Sequence, residues 1–82
     1  MQKFFYVYII VSVRDPDRYY IGFTEDLRDR LEHHNYGAVP STKPHRPWRF
    51  RTCTAFTDKA RALAYERYLK THSGRAFIAK RL

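Results

Sequence analysis

The chain has 82 residues and a mass of 9.9 kDa, room for one compact domain and none for a second, because independent domains run to ~50–200 residues. With 44% hydrophobic residues, among them seven Tyr, six Phe and one Trp, it carries enough apolar side chain for a core, which excludes a disordered chain. Sixteen Lys and Arg against eight Asp and Glu leave a net charge of +8, and such an excess points to a polyanionic partner, nucleic acid ahead of anionic lipid.

The longest apolar run, Phe4 to Val11, is far short of the ~20 residues that cross a bilayer, and no small-residue cleavage site follows it. It is β-branched and aromatic throughout, which suits a central strand covered on both sides, with Tyr6, Tyr8 and Ile10 on one face. Turn residues fill Ser12 to Arg18, and Tyr19 to Phe23 resumes the apolar pattern, so the two runs read as a hairpin. Thr24, followed by Glu25 and Asp26, reads as a capped helix start. Leu27, Leu31 and His34 recur at helical spacing, and Gly37 can close that helix in the left-handed conformation. Ala38 to Pro47 holds three of the four prolines and reads as an irregular, functional loop.

Trp48 to Phe56 reads as a third strand with Trp48, Phe50, Thr52, Thr54 and Phe56 on one side. Thr57-Asp58 caps a second helix in which Ala60, Leu63, Ala64, Arg67 and Tyr68 follow helical spacing, ending near Lys70 to Ser73. Arg75 to Leu82 reads as a short basic helix capped by Ser73. The order β-β-α-β-α-α implies an α+β fold, a small three-stranded antiparallel sheet flanked by helices, over the single domain 1–82. Cys53 is the one cysteine and has no partner for a disulfide or a Cys-x-x-Cys zinc site, so the fold needs no oxidising compartment; it is expected as a small buried residue, in a protein of the cytoplasm.

Four features converge on chemistry. Tyr8 and Tyr20 can share one side of the hairpin, Arg30 and His34 lie one helical turn apart, and Glu66 sits on the second helix. A carboxylate can hold a divalent cation, a guanidinium can neutralise phosphoryl oxygens, and a phenol or imidazole can take a proton from water, a coherent set for phosphodiester cleavage. Each residue also has an ordinary reading. The tyrosines can be core residues with wet hydroxyls, Arg30 can pair with Asp26, His34 can be a satisfied half-buried histidine, and Glu66 can pair with Lys70. Gly22 marks a close approach of backbone or substrate.

Tyr20-Ile21-Gly22, twelve residues after Tyr8 and followed by Thr24, Asp26-Leu27 and Arg30-Leu31, resembles the GIY-YIG nuclease superfamily. His34-Asn35, Ser41-Thr42 and the run Arg67 to Lys70 are similar to its short, stand-alone bacterial branch. The resemblance implies that Tyr8 and Tyr20 are the paired active-site tyrosines, Arg30 the catalytic arginine, His34 a catalytic helix residue, and Glu66 the ligand of a single Mg²⁺ or Mn²⁺. It implies a metal-dependent endonuclease, with DNA repair or recombination as its setting. Tyr6 stands where the first motif usually begins with Gly, and Ser73, Arg75 and Lys80 stand where well-studied members carry a late Asn.

Lys43, Arg46, Arg49, Lys70 and Arg75 are the expected contacts to nucleic-acid phosphates, DNA before RNA, and Trp48 or Tyr36 could stack on an unpaired base. A monomer or weak dimer is expected. The alternatives are a nucleic-acid-binding module without turnover, recognising DNA or RNA structure through a basic surface, and an interaction protein that dimerises through aromatic residues.

Overall fold

The structure is a computed structural model that describes residues 2–82. The order is β1 (Phe5–Ser12), β2 (Tyr19–Thr24), α1 (Leu27–Tyr36), a 3₁₀ turn (Lys43–His45), β3 (Trp48–Phe56), α2 (Lys59–Leu69) and α3 (His72–Arg81). The sheet runs β2-β1-β3, with both pairings antiparallel, so the apolar run is the central strand. Side chains alternate across it. Val7 and Ile9 pack with Ala62, Leu69 and Ile78 under α2 and α3, while Tyr8 and Ile10 pack with Trp48, Leu27 and Leu31 under α1. Among the described residues no helix is long and apolar enough to cross a membrane.

Local chemistry moves several expected boundaries. Thr24 does not cap α1 but ends β2, where its hydroxyl accepts from the Asp26 N–H at 3.1 Å and donates to the Asp26 carbonyl at 3.2 Å. Asp26 is the cap, its carboxylate accepting from the Asp29 N–H at 3.0 Å. Gly37 closes α1 at φ 93°, as its sequence position implied. The loop after it carries the one 3₁₀ turn described above, and is pinned to the end of β1 because the Ser12 hydroxyl donates to the His45 carbonyl at 2.8 Å.

The expected single-sided alternation of β3 fails at a bulge. Ile9 pairs with Thr52 and Ile10 with Phe50, leaving Arg51 without a cross-strand partner. The extra residue shifts the pleat: Trp48 and Phe50 pack on the α1 side, whereas Phe56 packs on the α2–α3 side. Cys53 is exposed rather than buried, because it lies on an edge strand. The face of α2 that packs is built on Ala62 and Leu69 with Tyr65; Ala60, Ala64 and Arg67 lie in solvent.

Helix α3 begins earlier than expected, capped by Thr71, whose hydroxyl accepts from the Gly74 N–H. Gly74 therefore lies inside a helix instead of before it. A side chain there would overlap the Tyr68 carbonyl and the Leu69 backbone, so its lack of a Cβ lets α3 cross tightly over the end of α2.

Candidate active site

In the β1–β2 register Tyr8 faces Gly22 and Ile10 faces Tyr20, which puts both phenols on the α1 side with ring centroids 6.4 Å apart. His34 closes the group, its ring 5.8 Å from Tyr8 and 4.9 Å from Tyr20. Gly22 is where the site could not tolerate a side chain, because a Cβ would overlap the end of the Tyr8 ring. Gly22→Ala is expected to push the phenol off His34 and to cost ~1–3 kcal/mol by overpacking, read as a lowered urea midpoint.

Tyr8 and His34 form a closed relay. The Tyr8 hydroxyl lies 2.8 Å from His34 Nε2, and His34 Nδ1 lies 2.8 Å from Thr42 Oγ1. The Thr42 hydroxyl donates to the Val39 carbonyl at 3.3 Å, so it accepts from Nδ1–H, and Nε2 accepts from Tyr8. This assigns the tautomer from the network. Thr42 is itself buried and accepts, at its carbonyl, the Trp48 indole N–H at 2.8 Å. Among the described residues no buried side-chain polar atom is left without a partner.

Burial first, and then the positive charges of Arg30 and His33, push the His34 imidazole down to about 4. Burial also pushes the Tyr8 phenol well above its usual range, helped by Tyr20 and Glu66 and opposed by Arg30. Both groups are thus held neutral. Because His34 takes up its proton at lower pH in the folded chain than in the unfolded one, whose histidine titrates near ~6.5, folding stability is full above that pH. It falls as pH drops from about 6.5 toward about 4,. The expected loss is on the order of 3 kcal/mol, seen in urea melts as a pH dependence that His34→Gln removes.

Arg30 is half-buried on α1 and, among the described residues, has no ion-pair partner; Asp26 is occupied with capping. Its charge and that of Glu66, from helices on opposite faces of the sheet, both act on Tyr8. Glu66 is mostly covered, and its carboxylate pairs with Lys70 Nζ at 3.1 Å. Tyr20 differs from Tyr8 in being half-exposed. It lines a cavity of about 290 Å³ with Thr42, His45, Trp48 and Arg75, and another of about 210 Å³ with Tyr19, Lys70 and Arg75.

The expected phosphate contacts divide into two groups. Lys70 and Arg75 stand beside Tyr20. Lys43 and Arg46 line a separate cavity of about 560 Å³ with Arg14 and Asn35; Arg46 also fastens the loop by donating to the carbonyls of Lys43 and Tyr36. Arg49 is exposed at the start of β3. Trp48 is buried and unable to stack on a base, whereas Tyr36 is 86% exposed.

Sequence reasoning missed Thr42 as the partner of His34, and Asn35 as a clamp. The Asn35 carboxamide accepts from the Trp48 N–H at 2.6 Å and donates to its carbonyl at 3.0 Å, holding β3 against α1. Neither contact has a periodic signal, since each joins α1 to residues beyond an irregular loop.

Among the described residues no cluster of three or more His, Cys, Asp or Glu could hold a metal ion. One carboxylate does suit Mg²⁺, which keeps several waters and completes its shell with substrate phosphate. Glu66 is a carboxylate of that kind, and its Lys70 partner lines the cavity beside Tyr20. A family model described as the GIY-YIG catalytic domain matches residues 4–80 of this chain. No curated protein matches it.

Proposed function

The chain belongs to the family of the GIY-YIG catalytic domain, a nuclease-type domain that takes nucleic acid, and from that premise we propose that it is a metal-dependent endonuclease hydrolysing phosphodiester bonds. The observation that supports the reading is the packing of Tyr8, Tyr20 and His34 on the α1 side of the hairpin, with the charges of Arg30 and Glu66 acting on Tyr8 from the two faces of the sheet and Lys70 and Arg75 on the cavity beside Tyr20.

The two tyrosines divide the work. Tyr8 gives its proton to a hydrogen bond inside the protein and is kept neutral, so it fixes the geometry. Tyr20 is open to the cavity, where its hydroxyl takes the proton of the attacking water as its own passes to solvent,. Arg30, which has no ion-pair partner among the described residues, neutralises the phosphoryl oxygens as charge builds on them,. His34 holds Tyr8 in place. Glu66 would hold a Mg²⁺ or Mn²⁺, which when bound supplies charge stabilisation to the phosphate and the leaving 3′ oxygen. Lys70 and Arg75 position the backbone through phosphate contacts, and Lys43, Arg46 and Arg49 extend that surface at the other cavity and on β3. The proposed substrate is DNA before RNA, cut by this domain as a monomer or weak dimer in the cytoplasm during repair or recombination.

Labelled branched, nicked and single-stranded DNA and RNA, incubated with the purified chain and Mg²⁺, Mn²⁺ or EDTA, test the reading. Shorter product with metal and none with EDTA is expected. Binding across the panel without product would overturn it in favour of a module that recognises nucleic acid without turnover.

A further inference from the structure

The bulge leaves Arg51 unpaired in the sheet, on the α2–α3 side. Its guanidinium reaches across β1 to lie 6.0 Å from the Tyr19 ring centroid, and its Nε donates to the Leu82 carbonyl at 3.2 Å. Arg75, from α3, also lies 6.0 Å from that centroid and donates from Nη1 to the Tyr19 hydroxyl at 3.2 Å. Two guanidinium groups are therefore held against one ring. Among the described residues no Asp or Glu side chain lies at ion-pair distance from either guanidinium, and Arg51 meets only the main-chain oxygen of Leu82. Each keeps N–H donors that these bonds leave unused.

Around them lies a cavity of about 300 Å³ lined by Tyr19, Arg51, Arg75, Asp17, Pro16 and Ile78 among others, in which Asp17 is the sole carboxylate. Tyr19 and Arg75 are shared with both cavities that Tyr20 lines. Ordering two like charges on one cavity is unfavourable unless an anion joins them, and fixing them beforehand removes the rotamer cost of binding one,. A planar fork with open donors suits a phosphate. We propose that Arg51 and Arg75, with Tyr19 as their platform, form a second phosphate subsite. It receives a backbone phosphate of the substrate strand next to the bond that is cut. The proposal rests on the nuclease reading for which bond that is, but the binding itself does not require cleavage.

The test is a salt titration of binding to labelled single-stranded DNA, without metal, for the full-length chain and Arg51→Gln. One lost phosphate contact lowers the slope of log K against log salt by ~0.7. Lys59→Gln removes the same charge about 16 Å before Lys70 along α2, and is expected to leave the slope near wild type. Arg51→Lys keeps the charge and is expected to restore it. A slope in Arg51→Gln equal to that of Lys59→Gln, or one that stays low in Arg51→Lys, overturns the subsite. With a cleavable substrate, KM is expected to rise several-fold in Arg51→Gln at unchanged kcat; a fall in kcat at unchanged KM also overturns it. If wild type binds but never cleaves while the slopes differ as expected, the nuclease reading fails and the subsite stands.

Discussion

Tyr20→Phe is expected to slow cleavage by ~10²–10⁴-fold, the usual contribution of a positioned acid or base, while leaving the melting temperature within a few degrees of wild type. Tyr8→Phe is expected to do the reverse. Tyr8 is only 2% exposed and its hydroxyl satisfies His34 Nε2. Removing it leaves a buried acceptor unpaired, at a cost of ~1–3 kcal/mol, with cleavage below the melting point within about tenfold of wild type, equivalent to less than ~1.4 kcal/mol of barrier. Single-turnover rates and urea melts of both variants separate the roles. A Tyr8→Phe chain that is stable but inactive, beside an active Tyr20→Phe chain, would exchange the two tyrosines. The distinction rests on environment: the residues are identical, but one phenol is sealed between β1, α1 and the loop, and the other lines the cavities that carry Lys70 and Arg75.

Glu66→Gln is the second large effect. The amide keeps the size of the side chain and can still meet Lys70, but it loses the charge that a divalent cation needs. Cleavage is expected to fall by at least ~10²-fold, several kcal/mol of lost charge stabilisation, with partial recovery as Mg²⁺ is raised. Nucleic-acid affinity in EDTA is expected to stay the same or rise slightly. Glu66 is mostly covered but Lys70, 3.1 Å away, is half-exposed, and relieving Lys70 of its counter-charge strengthens the phosphate surface while the amide keeps the hydrogen bond. A Glu66→Gln chain that cleaves at the wild-type rate would remove Glu66 from the reaction.

The fold was largely legible because its main elements have strong local signals. An unbroken apolar run marked the central strand, and a glycine at φ 93° ended α1 where the sequence placed it. What could not be read depends on residues far apart in the chain. The bulge at Arg51 exists only as a mismatch between β1 and β3, and the sequence of β3 alone favours unbroken alternation. Thr24 has the chemistry of a cap, but pairing with Tyr6 keeps it in the strand, and Asp26 is left to do the capping. Gly74 looks like a helix boundary, yet its lack of a side chain serves a helix crossing that only the packing of α3 on α2 reveals.

The site divides in the same way. Periodicity allows Tyr8 and Tyr20 one face and makes Arg30 and His34 neighbours, while the family resemblance is what joins the two pairs; in the structure the His34 ring lies against both tyrosines. The unequal exposure of the tyrosines follows from the loop that carries Thr42 back onto His34. No local pattern encodes that return. The two groups of cations, by contrast, are already separate along the chain, and they line different cavities because Lys43 and Arg46 belong to that loop and Lys70 and Arg75 to the α2–α3 corner.

The most direct test of the central claim is the chemistry of the ends left by the wild-type chain on its best substrate with Mg²⁺. Water attack with a leaving 3′ oxygen predicts a 5′-phosphate and a 3′-hydroxyl, produced with metal and absent in EDTA. No product with any metal, or product ending in a 3′-phosphate, would contradict the account.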